Sequence, residues 1–217
     1  MTVGVDGGVV ESDLRAGVLA CPVPGCGGRL APWGWARART VRGLAGRLRP
    51  RRSRCSASAG STGCGATHVL LPASVLLRRA DAVEVIGAGL LAAAGGLGHR
   101  RVAGQVDRPV STVRGWLARA VVVADRVLAV CAAVAAGFAA SFVPPAPAVM
   151  PVARVVEMVG AMGRAAGLRL GGSRSPWRLV ALVTSGRLLA PAGPDLVAAV
   201  VDPANTSARL VARSLGR

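Results

Sequence analysis

The chain has 217 residues, room for one large domain or two to three small ones. Its 27 basic residues, all arginine, face 10 acidic ones for a formal charge of +17, which draws nucleic acid or an anionic surface but does not specify a fold. Tyrosine is absent and only two Phe and four Trp occur, which argues against a base-stacking platform for single strands. The missing lysine fits a GC-rich coding bias better than a choice of arginine for bidentate chemistry.

Residues 1–20, opening "MTVGVDGGVVESDLRAG", lack a basic n-region followed by an apolar h-region, so no secretory signal is read and the segment is expected to be a mobile leader. Five cysteines without an export signal point away from a disulfide framework and toward metal binding or inert thiols.

Residues 21–72 are expected to form a small β-rich module. Cys21 and Cys26 sit in "CPVPGCGGRL", eight residues lie between Cys55 and Cys64, and 28 residues separate the two pairs. That layout is a zinc ribbon's, in which two tight turns clasp one tetrahedral Zn²⁺ through four thiolates. The intervals of four and eight residues are wider than the two of the tightest ribbons, and His68 is a rival ligand to Cys64. "RLAPWGWARARTVR" reads as a hairpin, "ATHVLL" as a third strand, and "SASAGSTG" as a flexible polar insertion. Arg49, Arg51, Arg52 and Arg54 precede the second pair on a strand, where they are expected to contact phosphates.

Residues 80–122 carry a helix-turn-helix pattern. Ala103 stands where the two helices cross, Val102 and Val106 precede the turn, and Val113 and Trp116 follow at helical spacing. Pro109 suits the start of the second helix, and Asp107 stands where the turn usually carries glycine. Ser111, Thr112 and Arg114 then open the recognition helix, with Arg100, Arg101 and Arg108 as flanking cations, while Trp116 falls on the apolar side. A helix over 80–94 completes a three-helix unit.

Residues 123–217 read as helical with a proline-rich break at 144–151. The uncharged run 127–153 raises a membrane span, but its helix-compatible part is only 17 residues, seven of them alanine, so a buried helix with Cys131 in its core is expected. Further helices are expected over 152–166 and from Pro176 and Pro203, each of these prolines preceded by a capping Ser175 or Asp202. No internal repeat is evident.

The order "CP…CGG…W…R…VR", "RPRRSRC…CGATHVLLP", "DAVEVIGAGL", then a helix-turn-helix, resembles a family of unknown function found mainly in actinobacteria and similar in layout to transposase N-terminal regions. The resemblance covers about residues 20–122. It implies DNA binding, with Cys21, Cys26, Cys55 and Cys64 as metal ligands; family members usually have two residues within each cysteine pair, where this chain has more.

The expected fold class is mainly α: a small β zinc ribbon, a three-helix helix-turn-helix unit and a helical C-terminal region. The expected function is DNA binding of the transcriptional-regulator or transposase-derived type. The partner is double-stranded DNA, the cofactor Zn²⁺ and the location cytoplasmic at the nucleoid. A homodimer is compatible with the pattern, and no small-molecule substrate is called for. An active transposase needs three carboxylates converging on metal ions, and beyond residue 126 only Glu157, Asp195 and Asp202 exist, so no enzyme is expected. The competing readings are a membrane-associated or structural interaction protein built on 127–153 and an inactive remnant of a transposase.

Overall fold

The computed structural model describes residues 2–3, 7–60, 62–171 and 175–190. Among these, seven helices and six short strands make a mainly α protein with a small β region.

The segment expected to be a mobile leader contains a helix. Residues Gly7–Arg15 form α1, whose Val10 and Leu14 are buried with Leu19, Leu30, Cys55 and Leu70. The apolar spacing of Val10 and Leu14, four residues apart, gives the helix one inward stripe. Thr2–Val3 (β1) adds a strand parallel to Thr67–Pro72 (β6).

The expected hairpin within 29–42 does not close on itself. Arg29–Trp35 (β2) pairs antiparallel with Arg51–Ser56 (β5), and β5 with β6, giving the sheet order β1-β6-β5-β2. Arg39–Thr40 (β3) and Arg47–Leu48 (β4) form a separate two-stranded excursion between β2 and β5. A buried inner face decides the pairing: Leu30 opposes Cys55, and both lie under α1. "ATHVLL" is a strand as expected, in β6.

Val83–Ala94 (α2), His99–Gln105 (α3) and Val110–Val122 (α4) follow. Asp107 has φ +51°, the left-handed conformation expected of the turn. Pro109 sits one residue before α4, as its N-cap. Val102, Ala103, Val113 and Trp116 are all buried, so Trp116 is a core residue.

No domain boundary falls at residue 122. Only Val123 separates α4 from Ala124–Phe138 (α5), and one apolar cluster runs from Leu76 to Leu189. It includes Pro151–Leu170 (α6) and Pro176–Val183 (α7), and in α7 the Ser175 hydroxyl accepts the Arg178 N–H at 3.3 Å as the cap. The expected helix from Pro203 lies outside the described residues.

The helix in the uncharged run ends at Phe138, six residues before Pro144, and Cys131 is buried in it. Burial pushes the Cys131 thiol up to about 12. No single described helix is long and apolar enough to cross a membrane; α4 and α5 pass that test only as a pair, and they meet at a 66° bend. Their buried residues, Val113, Trp116, Val127 and Val130 among them, belong to the protein's own core.

Candidate functional site

Two turns bring four cysteines together. In the first, the Cys21 N–H donates to the Gly28 carbonyl at 2.9 Å and the Cys26 N–H to the Val23 carbonyl at 3.1 Å, folding residues 21–28 back on themselves. In the second, Cys55 lies one residue before the end of β5 and its N–H donates to the Ala66 carbonyl at 2.8 Å. Ser58 is tied to the first turn, its hydroxyl donating to the Gly27 carbonyl at 2.7 Å. The two turns touch closely: a Cβ on Gly28 would overlap the Cys55 sulfur and lie 2.8 Å from the Ser56 carbonyl oxygen. Only glycine fits there.

The four sulfurs lie within 4.8 Å of one another. Cys21 Sγ is 3.6 Å from Cys64 Sγ, and Cys26 Sγ is 3.6 Å from Cys55 Sγ. Thiolates bound at about 2.3 Å around a tetrahedral centre have sulfurs about 3.8 Å apart, so the cluster has the dimensions to hold a metal ion. Backbone N–H groups point at two of the sulfurs: Gly28 N–H to Cys26 Sγ and Cys64 N–H to Cys55 Sγ, each at 3.4 Å. Such donors favour the thiolate a metal requires. The Gly28 N–H is the main cause that draws Cys26 down to about 7, while burial pushes Cys21 up to about 12 and raises Cys55.

His68 is not one of the four. Its Nε2 lies 3.7 Å from Cys21 Sγ, on a ring whose burial lowers its proton affinity. That is the position of an outer-shell partner to a ligand sulfur.

The cations expected to meet DNA divide into exposed and engaged groups. Ser111 and Arg114 on α4, and Arg100 and Arg101 on α3, are exposed, and Thr112 is half-buried. Arg108 is not available: its side chain is 12% exposed and its Nε donates to Asp81 Oδ1 at 2.6 Å. Arg51 is likewise engaged, forked onto Glu11 at 2.8 and 3.1 Å and onto the Gly34 carbonyl at 2.7 Å. The Arg51 hydrogen bond holds the Glu11 carboxyl below its usual range. Arg52 is half-buried and Arg54 exposed, with Arg54 over the Trp33 ring at 4.8 Å.

Sequence reasoning missed Asp81, Glu11 and the half-exposed Trp33 and Trp35. The available signal was the acid-free stretch between Asp13 and Asp81, which makes the flanking carboxylates natural partners for its arginines. Of the three carboxylates weighed for catalysis, Glu157 is exposed on α6 and Asp195 and Asp202 lie outside the described residues. Comparison with protein-family models, curated proteins and solved structures finds no match for this chain.

Proposed function

We propose that the chain is a non-catalytic DNA-binding protein in which a zinc-stapled β-module stands beside a helix-turn-helix formed by α3 and α4. The observation that carries this reading is the two-sidedness of α4. Val113, Trp116 and Ala120 are buried in the core, while Ser111 and Arg114 stand exposed at the helix's N-terminal end. Side chains at that end of a recognition helix reach base edges in the major groove, where arginine pairs bidentately with guanine. The four-cysteine cluster supports zinc, whose structural sites take four thiolates. Arg100 and Arg101, exposed one helix away, are placed on this reading to hold phosphates rather than bases.

Selection from a random duplex library, followed by binding assays at several salt concentrations, tests it. Arg114→Ala is expected to cost about 1–3 kcal/mol at the selected site and to leave scrambled DNA nearly unaffected. Arg100→Ala is expected to weaken both duplexes alike and to lower the salt slope by about one counterion. Equal loss on both duplexes for Arg114→Ala would reduce the surface to an undifferentiated cationic patch.

A further inference from the structure

The outer face of the small sheet carries an aromatic and two cations in an arrangement that packing does not require. Trp33 is the extra residue of a β-bulge: Pro32 opposes Ser53 and Gly34 opposes Arg52, which leaves Trp33 without a cross-strand partner. Its side chain is consequently turned out, 52% exposed, with the Arg54 guanidinium 4.8 Å from the ring centroid. Gly34 has φ +137°, a conformation that disfavours side chains, and a Cβ there would meet open space. Arg52 and Arg54, two residues apart on β5, share the face that Gly34 and Trp33 occupy. Trp35 differs, since it opposes Arg51, which is bound to Glu11.

The electrostatics are one-sided. No Asp or Glu occurs among the 67 residues between Asp13 and Asp81, a stretch that holds twelve arginines. Glu11 is engaged by Arg51 and Arg15, and Asp81 by Arg42 and Arg108. Among the described residues neither Arg52 nor Arg54 has a carboxylate partner. A flat indole beside two uncompensated guanidiniums, with a bare glycine between, matches a ligand that alternates planar rings with anions.

We infer that this face binds unpaired nucleotides, a base stacking on the Trp33–Arg54 pair while the adjoining phosphates meet Arg52 and Arg54. Duplex DNA keeps its bases stacked inside and offers the indole nothing, so the surface is separate from α4 and does not rest on the duplex reading. A low count of aromatic residues argued against a stacking platform, but one indole held outward by a bulge suffices for one base.

The test uses the full chain and fluorescein-labelled oligothymidylate, with an abasic strand of equal length as the matched polyanion. Wild-type protein is expected to prefer oligothymidylate, with quenched tryptophan emission on binding. Trp33→Ala is expected to weaken oligothymidylate by roughly 5- to 150-fold and to erase the preference over the abasic strand. Trp33→Phe should retain most of the preference. Unaltered thermal stability of Trp33→Ala, expected for so exposed a side chain, excludes misfolding as the cause. Equal binding of abasic and normal strands by the wild type, or competition by polyglutamate as effective as by oligothymidylate, overturns the inference in favour of simple charge attraction or an acidic protein partner.

Discussion

Chelating the zinc proposed for the four cysteines is expected to unfold residues 7–72 and leave α2–α7 folded. The β-module's own core holds seven buried residues, and two of them, Cys21 and Cys55, are themselves in the cysteine cluster. A core that small cannot offset the ordering entropy of the chain around it. Four-ligand zinc sites contribute about 10–16 kcal/mol of apparent binding free energy at neutral pH, as much as the whole stability of a typical domain. The helices rest on a separate cluster of 29 buried residues, none of them in the four-cysteine cluster. Protein purified without chelator is therefore expected to carry one zinc per chain. Stripping it, or replacing Cys26 by serine, should make the module protease-sensitive while most helical circular dichroism survives. Protons compete for the thiolates, so the affinity should fall as pH falls. A metal-free protein that keeps its protected module would refute the role given to the cluster, and helices lost along with it would refute the independence of the two cores.

The parts of the molecule legible in the sequence are those fixed by neighbours along the chain. The cysteine intervals located the cluster because a tight turn needs few residues, even with the second pair widened to eight intervening positions. Helical spacing identified Val113 and Trp116 as core, and the residue preference for left-handed backbone identified Asp107. What stayed hidden was decided across the chain. Arg51 finds Glu11 at a separation of 40 residues, and Arg108 finds Asp81 at 27. Read locally, Arg51 belongs to a cationic run and Arg108 flanks the turn; folded, each is turned onto a carboxylate. The docking of α1 escaped for a related reason. Two buried apolar positions, Val10 and Leu14, are too few to announce a helix until the sheet they cover exists.

Replacing Asp81 by asparagine is expected to destabilise the protein by about 3–5 kcal/mol, the cost of removing one partner from a buried ion pair. The Asp81 side chain is 3% exposed and receives Arg42 through Nε and Nη2 at 2.9 and 3.1 Å and Arg108 through Nε at 2.6 Å. Asp81 immediately precedes the segment leading into α2, Arg42 lies between β3 and β4, and Arg108 lies in the turn between α3 and α4. One carboxylate thus fastens the β-module to the turn before the proposed recognition helix. The backbone runs alongside, the Arg42 N–H donating to the Ala80 carbonyl and the Ala82 N–H to the Arg42 carbonyl, both at 2.8 Å. Asparagine keeps the shape and removes the charge, leaving two guanidiniums facing each other. Arg42 can turn to water because its side chain is 45% exposed; Arg108, at 12%, cannot. The midpoint of thermal unfolding should fall by roughly 10 °C for a chain this size, with zinc content unchanged. Arg108→Leu added to Asp81→Asn should recover part of the loss, since it removes the stranded charge. The Glu84–Arg178 pair, with both side chains more than a third exposed, provides the comparison, and Glu84→Gln should cost less than about 1 kcal/mol. If Asp81→Asn proved as mild as Glu84→Gln, Asp81 would be a surface charge in solution, and the backbone hydrogen bonds with the buried Val41–Val75–Ala82 contact would carry the fastening instead.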